Sequence, residues 1–311
     1  MAEKAKIFLD VKTSGGTSFK LNDFRGVERL SDLFEYTLLM TAESREVEFD
    51  SLMGKSATVS VKVGSLTRTY NGIMGRFEQD DTPFKPLKMW SVYRATLYPK
   101  LWLLTFSGQC RIFQNKSALD IIKTVLEENQ IPYSSQVTTS GTQQRDYCVQ
   151  YNETNFNFIS RLMEEEGIYY FFEQNKGNHT LVLIDSIAGH PLCPNAATAS
   201  FHDAAPHEQF MLKVSSCFIT QQIVPRSNTL KSYNYMAPQT PLKALAKGKK
   251  DAGGGEITTY DQIYDQQTRG NDLVKVKLES EEAPQKMIEG LSMIPFFLAG
   301  YKFKLEKHPR S

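Results

Sequence analysis

The sequence has almost no net charge and no long apolar segment. Its 36 Lys and Arg residues balance 35 Asp and Glu residues, which leaves a formal net charge of +1. Such a chain has no bulk attraction for nucleic acid or for an anionic membrane, so neither is expected as a partner. The most apolar late run, Ile294 to Ala299, is interrupted by Pro295 and is too short to span a bilayer. We therefore expect no stable membrane insertion.

The first residues lack the apolar core of a signal peptide, and Lys6 to Lys12 alternates like a strand. We expect synthesis and folding in the cytoplasm. The cysteines are few and scattered: Cys110, Cys148, Cys193 and Cys217. Without paired spacings, they are interpreted as reduced and mostly buried small hydrophobic residues.

Catalytic signatures are also scarce. The sequence has no G-x-S-x-G nucleophile elbow and no phosphate-binding glycine loop. One window contains several metal-ligand residue types: His190, Cys193, His202 and His207. Their spacings match no familiar zinc pattern, and the prolines among them indicate loop. We expect no catalytic residues, no metal and no cofactor.

What the sequence does contain is typical of a soluble globular protein, with 41% hydrophobic and 23% charged residues. Residues 1–100 are predicted to form a first β-barrel region. The alternation of Val59, Val61 and Val63, followed by Gly64-Ser65, predicts a hairpin. Asn71-Gly72 is compatible either with a second turn or with a glycine inside one long bent strand.

Residues 101–190 are predicted to form an inserted α+β domain. Residues 101–113 are apolar and β-like, and Ser117 with Asp120 is typical of a helix N-terminus. Residues 134–144 are interpreted as a surface loop. The overall class is therefore α+β, mainly β.

Residues 191–311 are predicted to form a second β-barrel region. Residues 242–256 are rich in lysine and glycine and predict a flexible loop, whose lysines are solvated or contact an acidic partner. Asp272 to Glu282 is ambiguous between strand and helix. Tyr301, Phe303 and Leu305 alternate with charged residues and predict a final strand.

The stretch from Cys148 to Glu173, CVQYNETNFNFISRLMEEEGIYYFFE, has the clearest pattern. It predicts a strand, a helix and a second strand, with Asn152 or Thr154 as N-cap and Gly167 as the left-handed C-terminal residue. The aromatic residues that follow are interpreted as core or subunit contacts rather than as a ligand pocket.

Three consecutive glutamates close this helix. They are expected to splay around it, which disfavours a paired-carboxylate active site and favours a solvated or interface-facing helix end. Because they oppose the helix dipole, we expect a salt-bridge partner elsewhere. The candidate subunit-interface residues are Glu164, Glu165, Glu166, Tyr169 and Tyr170.

Four segments carry a family resemblance: GVERLSDLFEYTL from Gly26, YRATLYPKLWLLTFSGQCRIFQNKSALDIIKTVL from Tyr93, YNETNFNFISRLMEEEGIYYFFE from Tyr151 and, more weakly, AGYKFKLEKHP from Ala299. They resemble the N-terminal half of VgrG spike proteins of type VI secretion and the related hub proteins of contractile phage tails.

The resemblance implies a phage tail hub-like fold of two tube-forming antiparallel β-barrels with an inserted α+β domain. It also implies a homotrimer whose pseudo-sixfold ring docks on a hexameric Hcp-type tube, because a trimer matches six subunits when each protomer repeats its contact module. Such a protein is a structural hub rather than an enzyme, and it leaves the cell through the contractile apparatus without a signal peptide.

The neck and β-helical needle that follow the hub in this family are not found among these residues, so we expect a separate or missing C-terminal tip. Either a truncated piece or a natural hub-only protein is compatible with this. Two alternatives remain: the tail hub of a prophage or phage-like particle, and a cell-wall hydrolase using the three glutamates.

Overall fold

A computed structural model describes most of the chain. The described residues are 6–10 (backbone), 17–80, 90–175, 177–201, 213–248, 254–260 and 264–310. No helix within these ranges is long and apolar enough to cross a membrane.

The first region is a curled six-stranded antiparallel sheet. Its strands are β1 (Lys6–Asp10), β2 (Lys20–Val27), β3 (Glu35–Ala42), β4 (Ser56–Val63), β5 (Leu66–Asp80) and β6 (Ser91–Tyr98). The order is β1-β4-β5-β6-β3-β2, and the two edge strands lie close to each other, so the sheet bends around its own core.

Period-two alternation places the apolar residues of this sheet on one face. Tyr36, Leu38 and Met40 of β3 are fully buried, whereas the residues between them are less buried. The predicted hairpin is confirmed, because β4 and β5 pair from Val63 and Leu66 outward. Asn71-Gly72 lies inside the 15-residue β5, which selects the long-strand interpretation.

The middle region packs two helices against short sheets. Its elements are β7 (Gly108–Ser117), α1 (Ala118–Glu128), β8 (Tyr133–Ser135), β9 (Gln144–Thr154), α2 (Asn155–Glu166), β10 (Tyr169–Asn175) and β11 (Asn178–Ile184). β7 pairs with β9 as a two-stranded ribbon, and β10, β11 and β8 form a separate sheet. Both predicted helices are confirmed, and their apolar faces share one core with β11.

The helix caps follow the sequence. Ser117 accepts a hydrogen bond from the backbone N–H of Asp120, and Thr154 accepts one from that of Asn157. Gly167 ends α2 with φ 72°. A side-chain carbon at Gly167 would lie 3.0 Å from Val276, so the glycine also permits close approach of a later helix.

Two predictions for this region were wrong in part. Residues 101–113 are not one β-like segment, because Lys100–Thr105 is a 3-10 helix that buries Leu101 and Leu104 at three-residue spacing. The predicted loop at residues 134–144 begins and ends in strands β8 and β9.

The last region contains two sheets and one helix. Its elements are β12 (Thr198–Phe201), β13 (Lys213–Gln221), β14 (Ser227–Ser232), β15 (Leu242–Lys247), β16 (Glu256–Tyr260), α3 (Gln267–Glu282), β17 (Lys286–Ser292) and β18 (Lys304–Glu306). The sheets run β17-β13-β12-β18 and β15-β14-β16, and α3 covers one face of the second. The mainly β, α+β class is therefore confirmed.

Here the sequence predictions needed most correction. The expected loop at residues 242–256 contains β15, because Leu242 and Ala244 alternate with exposed residues and are buried under α3; residues 249–253 lie outside the described ones. The ambiguous segment after residue 272 is helical, since Leu273, Val274 and Leu278 share one buried face.

The final strand is shorter than predicted and starts at Lys304. Gly300, with φ 84°, lies in a turn in which the Tyr301 N–H bonds to the carbonyl of Leu298. The strand therefore begins only after this turn. Tyr301 lies outside the strand and packs edge-on against Phe171.

Candidate functional site

The three glutamates at the end of α2 have different environments. Glu164 is exposed and Glu165 is half-buried, whereas Glu166 is only 3% exposed. Their side chains leave the helix in different directions, as expected for consecutive helical positions. The helix end is therefore partly solvent-facing and partly internal.

Two arginines neutralise the inner glutamates. Arg145 of β9 pairs with Glu165 at 2.8 Å and also contacts Glu166. Arg269 of α3 pairs with Glu166 at 2.5 Å. Burial by itself lowers the pKa of Arg145, but its hydrogen bonds to the carboxylates of Glu165 and Glu166, and the charges of those carboxylates, outweigh burial and raise the pKa above its usual value. The predicted salt-bridge partner is thus confirmed.

This cluster corrects one expectation. Glu165 and Glu166 do converge, because a single arginine reaches both carboxylates from the neighbouring strand. Both carboxylates contact a permanently charged guanidinium and do not face an open cleft. The ion-pair cluster therefore links α2, β9 and α3. One oxygen of Glu166, Oε2, is buried without a hydrogen-bond partner.

The two tyrosines of the predicted interface have largely internal contacts. The Tyr169 hydroxyl lies 3.1 Å from Nε2 of His190. Tyr170 is buried, its carbonyl accepts a hydrogen bond from the N–H of Ser31, and desolvation raises its pKa. Phe171 is also in the core. A role of these tyrosines or of the three glutamates in subunit contact stays a prediction.

The histidine–cysteine window is occupied by internal contacts where the structure describes it. Nδ1 of His190 lies 2.7 Å from the carbonyl of Gly300, and Cys193 is buried. His202 and His207 lie outside the described residues. Among those that are described, no group of three or more His, Cys, Asp or Glu side chains is placed to hold a metal ion.

A polar network that sequence reasoning missed joins all three regions. Arg68 of β5 donates to both carboxylate oxygens of Glu28 at 2.9 Å. The same guanidinium donates to the carbonyl of Pro295 at 2.9 Å and to that of Phe297. Glu28 also accepts a hydrogen bond from the Tyr36 hydroxyl at 2.7 Å. The first sheet is thereby bonded to the C-terminal segment.

The network continues into the middle region. Gln174 of β10 donates to the Tyr36 hydroxyl at 2.9 Å and accepts from the N–H of Asn71 at 2.8 Å. Asn71 in turn contacts Nδ1 of the buried His179 at 2.8 Å, and Nε2 of His179 accepts from the N–H of Lys100. Burial and the nearby Lys100 charge hold the pKa of His179 at about 4. A neutral imidazole donating to Asn71 satisfies every contact.

A ribbon of two strands in the last region exposes apolar side chains. Strands β13 and β17 pair along their length, and every residue of β17 is exposed. Phe218, Ile288 and Leu291 are 62%, 63% and 66% exposed. Because Ile288 faces opposite to the other two, both faces of the ribbon are apolar. The two-sided apolar composition of residues 286–293 was the sequence signal for it.

Comparison with known families gives a match over most of the chain. The family model for the phage tail baseplate hub (GPD) matches residues 27–311. The spike protein VgrG1a of the type VI secretion system of Pseudomonas aeruginosa is 30% identical over 293 residues, which is 93% of this chain and 45% of that protein. VgrG1b of the same organism is 28% identical over 313 residues, 100% of this chain and 42% of the relative. The chain spans less than half the length of these curated relatives.

Solved structures share the fold at low identity. An E. coli component of the type VI secretion system, described as structurally similar to T4 bacteriophage tail proteins gp27 and gp5, superposes with a TM-score of 0.68 at 17% identity, covering 98% of this chain and 67% of that one. A tail protein of Neisseria meningitidis gives a TM-score of 0.64 at 11% identity, covering 97% and 86%.

Proposed function

Because the chain belongs to the phage tail baseplate hub family, we propose that it is the structural hub of a type VI secretion spike. In this proposal three copies form a ring that caps an Hcp-type hexameric tube and carries the puncturing tip. The hub assembles in the cytoplasm and leaves the cell with the tube when the contractile sheath fires. The match to VgrG spike proteins along nearly the whole chain supports the secretion system.

The exposed apolar ribbon of β13 and β17 is the observation that supports assembly of several copies. A two-stranded ribbon with both faces in water is marginally stable by itself. Contiguous exposed apolar surface marks an interaction site, and stable interfaces bury about 800 Å² per partner. Covering the ribbon with a neighbouring copy removes Phe218, Ile288 and Leu291 from water.

The tip is proposed to come from sequence beyond the hub. The chain spans under half of its curated relatives, and the neck and needle predicted by the resemblance are assigned either to a continuation of the protein or to a separate chain. The role of the present residues is to hold that tip on the tube axis.

A hub of a prophage or phage-like tail is the second candidate. It is supported by the tail protein of Neisseria meningitidis, of which this chain covers 86%, compared with less than half of the VgrG relatives. Both candidates use the same fold and the same ring. They are separated by which tube protein the hub binds.

A cell-wall hydrolase has less support. Its acid–base pair would consist of Glu165 and Glu166, but both carboxylates are paired with Arg145. A general acid or base needs a carboxyl that is free to exchange a proton with substrate. Peptidoglycan zymography with the wild type and with Glu165→Gln tests the alternative, and clearing that is lost in the variant would favour it.

The direct test of the hub is to mix the purified chain with its tube protein and to image the tubes by electron microscopy. We expect density at tube ends and a trimer mass by light scattering. A chain that stays monomeric and never binds tube ends, even with its tip supplied, would contradict the proposal. Ile288→Glu with Leu291→Glu is expected to abolish the trimer, whereas Ile187→Glu, at a residue that is 77% exposed elsewhere, is the matched control.

A further inference from the structure

One face of the sheet of β14, β15 and β16 is covered by α3. The other face is open along β15 and β16, whereas Ser227 and Thr229 of the central strand are buried there. Leu230, Leu242 and Ala244 are buried against Leu273 and Val274 of α3. Since side chains alternate across a strand, the residues between them point away from α3. This open face lies in the stretch whose lysines the sequence assigned either to solvent or to an acidic partner.

Lysines dominate the open face. Lys243 and Lys247 of β15 flank Leu245, and Lys231 of β14 lies directly opposite Lys243 in the antiparallel register. All three lysines are exposed. Within the described part of the chain, none of them forms an ion pair.

Folding does not account for this arrangement. Like charges directly opposite each other in neighbouring strands destabilise a sheet. Lysines on an edge strand protect against edge-to-edge aggregation, which explains Lys243 and Lys247 because β15 is an edge. It does not explain Lys231, which lies on the central strand β14.

The remaining residues of the face fit a protein partner. Leu245 is 48% and Tyr260 is 61% exposed, so apolar groups lie among the charges. Glu256 also lies on this face, since both it and Lys247 are opposite Ser227, and its carboxylate is paired with Arg226 at 3.2 Å. With a net charge of only +1 for the whole chain, this concentration of positive charge is local.

We propose that this lysine face (Lys231, Lys243 and Lys247 around Leu245) is a docking surface for an acidic protein surface on the tube ring. The inference rests on the proposed function and adds to it the chemistry of the tube contact. In a trimer the face is repeated three times around the axis, so modest charge pairs act together.

The test measures binding of the hub to its purified Hcp-type tube protein at low and high salt. The triple variant Lys231→Glu, Lys243→Glu and Lys247→Glu is compared with a control triple variant that changes the net charge equally at other exposed lysines: Lys20→Glu, Lys55→Glu and Lys116→Glu. Glutamate keeps the edge strand charged, so protection against aggregation is retained.

We expect wild-type binding to weaken with salt, the lysine-face variant to bind at least about tenfold more weakly, and the control to bind like wild type. Equal binding by all three proteins, or an equal loss in both variants, would overturn the proposal while leaving the hub function intact. Wild-type protein that never binds the tube would count against both.

A single variant separates docking from folding. Lys231→Glu places a carboxylate opposite Lys243, so the sheet is expected to gain stability while tube binding weakens. A rise in Tm with unchanged binding would contradict the proposal. Binding of a DNA duplex that depends on the same lysines, with no effect on the tube, would instead identify a nucleic-acid surface.

Discussion

Two parts of the molecule bury their apolar residues to different extents. One part is the first sheet together with the middle region, and the other is the last region. In the former, aromatic and aliphatic side chains from strands and helices fill two large cores. In the latter the cores are small, and β17 is exposed along its whole length. The first part buries most of its apolar residues in these cores, although Phe106, Ile112 and Tyr151 are 69%, 56% and 75% exposed. The last part leaves the whole of one strand exposed and carries a cluster of lysines.

This difference matches what a hub has to do. A rigid body is needed to position the contact surfaces, and the network from Arg68 to His179 holds the regions together. In the proposed function, contact surfaces remain open until the ring and the tube cover them. A hub built in this way has most of its stability in the first part and its assembly contacts in the last.

The largest effect is expected from a core phenylalanine. Phe158 of α2 is fully buried, and Phe158→Ala is expected to cost about 4 kcal/mol of unfolding free energy, from lost transfer energy and the cavity left behind. The matched variant Phe218→Ala, at a ribbon residue that is 62% exposed, should change monomer stability little and weaken trimer formation. Urea unfolding and light scattering measure the two effects; equal stability losses would break the comparison.

The next largest loss of stability is expected at the ion-pair cluster at the end of α2. Glu166→Ala leaves two partly buried arginines with one shared carboxylate and is expected to cost about 3 kcal/mol. Glu164→Ala, at the exposed neighbouring position, is the control and should change stability by less than about 0.5 kcal/mol. The predicted role of Glu164 and Glu165 in subunit contact is tested by reversing both charges, since an unchanged trimer mass would contradict that role.

Acid should loosen the network at His179. Its folded pKa of about 4 lies below the 6.5 of an unperturbed histidine, because burial and Lys100 disfavour the charged ring. The unfolded state therefore binds the proton first, so this contribution is complete above pH 6.5 and is lost as pH falls towards 4. The loss approaches about 3 kcal/mol. His179→Gln should flatten the stability–pH curve in this window, and an unchanged slope would contradict the assignment.

The smallest changes in stability are expected from substitutions at the N-caps of α2 and α3. Thr154 caps α2, and Thr154→Ala is expected to cost about 1 kcal/mol. Gln266 at the start of α3 makes no side-chain cap bond, so Gln266→Asp should stabilise by up to about 1 kcal/mol. Thermal unfolding of both variants measures the opposite shifts, and shifts of the same sign would be inconsistent with them.

Local patterns predicted the elements that depend on near neighbours. The caps of α1 and α2, the left-handed Gly167 and the hairpin after Val63 each arise from a few adjacent residues. The strand β15 and the helix α3 were missed or left open, because their composition was ambiguous and their packing against each other decided the outcome.

The candidate site shows the same limit. The sequence indicated that the glutamates needed a cationic partner, but Arg145 and Arg269 are 21 and 103 residues from Glu166, and no local pattern selects them. The lysine face was visible as composition. Only the strand register showed that Lys231, from a different part of the chain, lies opposite Lys243 on the same face.

The sequence by itself determined the family, the mainly β class and the strand–helix–strand motif, because short-range periodicity and capping are written in adjacent residues. The tertiary structure decided which glutamate is buried, which strands stay exposed and which lysines share a face. These properties depend on groups far apart in the chain whose desolvation and charge are set only when the sheets and helices pack together.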